Sequence, residues 1–95
     1  MAAYLIAEIE ITDAAAYEGY KPLASAALEN YGAKILVRGG AVESKEGGWA
    51  PKRVVVLEFA SMAQLRRFYD SPEYTRARAI RQKASRSKLI FVEGV

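Results

Sequence analysis

Two charged side chains interrupt otherwise apolar runs. Arg38 sits near the end of AKILVRGG (33–40), and Glu58 sits near the end of KRVVVLEF (52–59). A charge in a strand that is covered on both sides needs a partner or a ligand, because desolvating it alone is costly. An arginine can hold a carboxylate or enolate oxygen, and a glutamate can move a proton. Burial raises a carboxyl pKa towards the range useful for proton transfer, and a nearby guanidinium opposes that rise. Arg38 and Glu58 are therefore the candidate catalytic pair. A structural ion pair, at a strand end or between subunits, accounts for the same residues.

Tyr69, Tyr74, Arg81 and Trp49 form the candidate ligand-binding set. Tyr74 and Arg81 are seven residues apart, so they share one helix face. Their polar tips can line a pocket between helix and sheet, although such side chains are also ordinary at the edge of a core. Trp49 lies in the loop GGWAP (47–51), where it can close a pocket or anchor a partner subunit, and interface cores favour tryptophan. Arg53 is expected to pair with an acidic residue, with Glu43 as the best candidate.

The absences narrow the chemistry. The chain has no histidine and no cysteine. It therefore lacks the usual general base near neutral pH, any thiolate and the commonest metal ligands. The glycine pairs 39–40 and 47–48 match neither a dinucleotide nor a P-loop pattern. The scattered acidic residues make no cation cluster. No cofactor and no metal are expected.

The elements that must position these residues follow in order. Residues 3–11 (AYLIAEIEI) alternate with period two and read as a strand. The opening MAAYLIAEIEI lacks the pattern of a secretory leader. Thr12-Asp13 can cap a helix, in which Tyr17, Tyr20, Ala24, Ala27, Leu28 and Tyr31 make one apolar stripe ended by Gly32. Pro22 lies inside that stripe and predicts a kink near Gly19 or a fresh start around Lys21. Residues 33–40 are a second strand. Turn-rich residues 41–51 join it to a third strand, 52–59, as a long hairpin connection. Val54 to Leu57 are apolar without alternation, so both faces of that strand are covered. Ser61-Met62-Ala63-Gln64 fits a capping box. Ser71-Pro72 starts another helix, with serine as cap and proline in the first turn. Residues 87–95 hold a fourth strand.

The order β-α-β-β-α-β is the ferredoxin-like arrangement, an α+β fold with a four-stranded antiparallel sheet and its helices on one face. At 95 residues the chain makes one domain, residues 1–95. The open sheet face is too apolar to be left to water, and a second copy related by a two-fold axis is the simplest cover. The expected partner is therefore the chain itself, in a homodimer through that face.

Arg38-Gly39-Gly40, Glu43, Gly47, Trp49, Arg53, Glu58-Phe59, Ser61, Tyr69, Ser71-Pro72-Glu73-Tyr74, Arg81 and Glu93-Gly94 together resemble the family called domain of unknown function 1330. The likeness runs over essentially the whole chain. It implies a dimeric α/β barrel of the ferredoxin-like type. The wider superfamily includes small monooxygenases and isomerases as well as proteins with no known activity. Pro22 and the alanine-rich first helix depart from the family pattern without touching the shared motifs.

Charge is uneven along the chain. Residues 1–61 hold six basic and eight acidic groups, and residues 62–95 hold eight and three, which gives the net +3. The basic half reads as a solvated helix face. The aromatic signature of an RNA-binding sheet is absent, so nucleic acid is not the expected partner. No apolar run approaches the ~18–20 residues of a membrane span, and a cytoplasmic location is the default. Two functions remain open. One is a cofactor-independent enzyme or binder for a small organic acid or aromatic compound, with proton transfer or oxygen addition beside a carbonyl as the reaction class. The other is a non-catalytic dimeric module whose polar residues are structural.

Overall fold

A computed structural model describes all residues 1–95. The elements are β1 (Ala3–Ile11), α1 (Ala14–Asn30), β2 (Lys34–Arg38), β3 (Val54–Phe59), α2 (Met62–Asp70), α3 (Pro72–Ala84) and β4 (Ser85–Glu93). The four strands form one antiparallel sheet in the order β2-β3-β1-β4. The two middle strands are therefore the first and third in sequence, as the ferredoxin-like fold requires.

The alternation in β1 sets the layers. Ala3, Leu5, Ala7 and Ile9 are buried under the helices, while Tyr4, Ile6 and Glu8 face the other side and keep some exposure. Leu57 and Phe59 stand beside Leu5 and Ala3 on the helix side. Phe59, Phe68 and Leu65 are fully enclosed and form the centre of the core. Rings extend that core sideways: Phe68 lies 5.1 Å from Phe59 and 4.3 Å from Tyr74, centroid to centroid. Such contacts add to the burial energy of the rings.

Each helix starts where its cap predicts. Asp13 Oδ1 accepts from the Ala16 amide at 3.1 Å. Ser61 Oγ accepts from Gln64 N at 3.1 Å, and Ser71 Oγ from Tyr74 N at 3.1 Å. The second half of the capping box is different. The Gln64 side chain donates to the Tyr31 carbonyl instead of returning to Ser61, and so ties α2 to the end of α1. Gly32 follows at φ +70°, a left-handed position that ends α1.

Pro22 neither ends nor restarts α1, which runs unbroken through it. Tyr17 on one side of the proline and Ala24 and Ala27 on the other are buried, so packing holds both halves in one helix. Pro22 itself is exposed, so its ring takes no place in the core. The helix tolerates the lost hydrogen bond because tertiary packing supplies most of its stability.

One irregularity decides where a functional residue points. Strand β2 pairs Lys34 with Glu58 and Ile35 with Leu57, then skips Leu36 and pairs Val37 with Val56 and Arg38 with Val55. A bulge of one residue reverses the facing of everything after it. Lys34 shares the open face with Glu58, but Arg38 shares the helix face with Val55 and Ala7.

Candidate functional site

Between α1, α3 and the sheet lies a cavity of about 510 Å³. This size suits a small organic molecule. Leu5, Leu28, Ile35, Leu57 and Phe68 form its apolar wall. Tyr17, Tyr20, Tyr74, Arg53 and Arg81 supply its polar groups, and Arg38 and Lys21 reach it from exposed positions. Aspartate and glutamate are absent from the lining.

The fold brings these groups together at one corner. Thr12 and Asp13 both donate backbone N–H bonds to the Ala84 carbonyl, at 2.9 and 3.1 Å, which joins the start of α1 to the end of α3. Tyr17 and Tyr20 lie in the first two turns of α1, and Arg81 lies in the last turn of α3. Ile9 N donates to the Arg53 carbonyl at 2.9 Å, so the entry to β3 is fixed against the same end of β1. Ser85 Oγ donates to the Arg81 carbonyl at 2.6 Å and holds the α3–β4 junction.

Arg81 is 4% exposed, yet its Nε and Nη2 have no hydrogen-bond partner. Arg53 Nε is likewise buried and unpartnered. Both salt bridges, Lys21–Glu18 at 3.0 Å and Lys45–Glu43 at 3.2 Å, involve lysines. The expected Arg53–Glu43 pair is therefore not formed, since Glu43 takes Lys45 on the exposed loop. Unpaired buried donors are uncommon and costly. The side chains of Arg53 and Arg81 both line the carboxylate-free cavity, and neither is in a salt bridge.

The tyrosines complete the polar end. The Tyr20 and Tyr74 hydroxyls are 2.8 Å apart. One hydrogen lies between them, and the other hydroxyl keeps its own to donate elsewhere. Burial, reinforced by Tyr74, pushes the Tyr20 phenol well above its ordinary pKa. Burial also raises Tyr17, against the opposing pull of the Arg53 charge. For Arg81, burial acts against the charged form, but the neighbouring Tyr74 and Tyr20 outweigh it and its pKa is raised. At neutral pH the polar end is thus cationic and rich in donors.

The sequence-derived set divides. Tyr74, Arg81 and Arg38 line the cavity. Glu58 does not. It lies across the sheet, where it accepts from Tyr4 Oη at 3.1 Å. The β2 bulge is the reason that Arg38 and Glu58 point to opposite faces, so they make neither an ion pair nor a shared catalytic centre. Tyr69 stands behind the cavity wall, with Tyr74 5.7 Å and Phe91 5.3 Å away and the Arg78 guanidinium 4.3 Å over its ring. Trp49 is 65% exposed and donates from Nε1 to Glu8 Oε1 at 3.4 Å, which places it at the open face. Three polar cavity residues were not among the sequence-derived candidates: Tyr17, Tyr20 and Arg53. Tyrosine at both 17 and 20, on a stripe continued by alanine, was the available signal. A purely structural stripe has no need of two hydroxyls.

A family model for a domain of unknown function, DUF1330, matches residues 2–95. The chain belongs to the DUF1330 family. No protein of curated function matches it at a significant level. Among solved structures, this DUF1330 chain is similar to a protein of unknown function from Rhodopseudomonas palustris, at 19% identity and TM-score 0.76, over 99% of this chain and 82% of that one. A dimeric ferredoxin-like protein of unknown function from Jannaschia sp. CCS1 follows at 16% identity and TM-score 0.68, over 99% and 100% of the two chains. SnoaB, a cofactor-independent oxygenase from Streptomyces nogalater, aligns at 10% identity and TM-score 0.66, over 99% and 93%. At these identities the likeness establishes the ferredoxin-like fold. No helix is long and apolar enough to cross a membrane.

Proposed function

We propose that this DUF1330 protein binds a small organic acid with an apolar body in the cavity between α1, α3 and the sheet. The observation that carries the reading is Arg81: a buried guanidinium in no salt bridge, lining a cavity without a carboxylate. An anionic oxygen there would gain charge-assisted hydrogen bonds from Arg81 and from the free hydroxyl of the Tyr20–Tyr74 pair. The ligand's apolar part would lie against Leu28, Leu57 and Phe68.

The same donors would stabilise an enolate formed on the bound acid, as cofactor-independent chemistry beside a carbonyl requires. SnoaB, whose fold is similar, is described as a cofactor-independent oxygenase. The cavity walls supply no carboxylate or imidazole base, which favours binding over base-catalysed proton transfer by the protein itself. Glu58 has no part in this reading, because the sheet separates it from the cavity.

The protein is further proposed to act as a homodimer through its open sheet face. Val37, Val56, Ile6 and Ile90 are cross-strand neighbours in one row over all four strands. Ile90 is 60% exposed, and Leu36, Val92 and Trp49 add more exposed apolar surface. The dimeric Jannaschia protein of the same fold supports this assembly.

A thermal-shift series tests the binding reading. Hydrocinnamate, benzoate and hexanoate are compared with their neutral amides. The acids should raise the unfolding temperature and the amides should not, because only a ligand that prefers the folded state stabilises it. Equal shifts for acids and amides, or no shift with any acid at millimolar concentration, would remove the proposal.

A further inference from the structure

We infer that the preferred ligand is a diacid: an organic molecule with an apolar body and two anionic groups, one held by Arg81 and the other by Arg53. This rests on the organic-acid reading above and narrows its substrate class.

Charge balance inside the cavity carries the inference. Lys21 is already paired with Glu18, and Arg38 is exposed and hydrated. Arg53 and Arg81 remain: Arg81 is buried and Arg53 is half-buried, and both line the cavity. Neither takes part in a salt bridge. A monoacid can neutralise one of them. The other would keep its charge beside a largely apolar ligand that displaces part of its water, and a second anionic group would offset that cost.

The two guanidiniums converge from different layers. Arg81 descends from α3 in the helix layer, and Arg53 comes from the start of β3 in the sheet. Both act on the Tyr17 hydroxyl, where each works against the effect of burial. Arg53 reaches inward across Gly39, where a Cβ would meet Arg53 Nη1. Gly39 also holds φ +71°, a conformation that L side chains rarely adopt. The backbone geometry therefore favours glycine here, and a side chain in its place would push the Arg53 guanidinium aside. An arginine serving only solubility would need no such cradle.

Three probes decide the question. Hydrocinnamate carries one carboxylate on a phenyl-bearing chain; benzylmalonate and phenylsuccinate carry a second, on geminal and vicinal carbons. Titration calorimetry of the full chain at neutral pH and fixed ionic strength should show at least one diacid binding roughly tenfold or more tightly than hydrocinnamate, as a further charge-assisted hydrogen bond implies. In Arg53→Met the ratio of diacid to hydrocinnamate affinity should fall to near parity, whatever the affinity of each acid alone. Gly39→Ala should move the diacid affinity in the same direction by displacing Arg53, and it keeps the guanidinium on the chain if Arg53→Met folds poorly. The diacid inference is overturned if hydrocinnamate binds as tightly as both diacids, or if the preference survives both substitutions. Binding of none of the three acids would overturn the organic-acid reading itself, and the diacid inference with it.

Discussion

Replacing Arg81 by methionine should make the ligand-free protein more stable. The side chain is 4% exposed, and Nε and Nη2 are buried without partners. Each unsatisfied buried donor costs about 1–3 kcal/mol relative to its hydrated state in the unfolded chain. Methionine retains much of the apolar stem and removes both donors together with the charge. It is shorter, and the space it leaves offsets part of the gain, by roughly 1 kcal/mol. The balance is a net stabilisation of at least about 1 kcal/mol, in the direction seen when buried charges are replaced by apolar residues of similar volume. In a domain of this size each kcal/mol moves the unfolding temperature by ~4–8 °C. The assay is thermal unfolding of Arg81→Met and the parent chain, each with and without hydrocinnamate. Arg81→Met should melt several degrees higher alone and show no ligand shift. A lower melting temperature for Arg81→Met without ligand would refute the reasoning, because it would mean that the guanidinium is satisfied within the protein and serves the fold.

Three further outcomes follow from the same structure. Tyr20→Phe should flatten the alkaline loss of stability. Tyr20 is raised above the ordinary phenol value of 10.0, so both states are protonated below that pH and the stability is intact there. Above it the unfolded chain releases a proton that the folded state keeps, and stability falls as pH rises towards the folded value. Urea melts at pH 8 and at about pH 11 should show a smaller difference for Tyr20→Phe than for the parent, measured against the unperturbed phenol scale. Ile90→Glu puts a charge in the centre of the apolar row and should convert a dimer to monomer, read by sedimentation or light scattering, with the ligand shift retained. Gly39→Ala should cost roughly 1 kcal/mol or more of stability, because a left-handed φ and a clash with Arg53 act together.

The fold was legible because its signals are local and redundant. Asp13, Ser61 and Ser71 mark helix starts by a physical mechanism, and each caps its helix in the structure. The period-two pattern of residues 3–11 became a nine-residue strand with the expected faces. The fresh helix start offered for Pro22 does not occur, because packing on both sides of the proline holds one helix. The site was legible only in part. Tyr74 and Arg81 could be paired by helical spacing, and both line the cavity. The side to which Arg38 points could not be read, because ILV at 35–37 carries no mark of a bulge. That single skipped residue separates it from Glu58. Arg53 looked like half of an exposed ion pair. Its role depends on Gly39, a neighbour across the hairpin that becomes informative only when the backbone is known.

The central claim is that an acid is held inside this cavity by Arg81. A crystal structure of the protein with hydrocinnamate tests it most directly. The carboxylate should lie within hydrogen-bond distance of the Arg81 guanidinium and of the Tyr20 or Tyr74 hydroxyl, with the ring against Leu28, Leu57 and Phe68. A ligand seated on the open sheet face or on the basic surface of α2 and α3, with the cavity left unused, would contradict it.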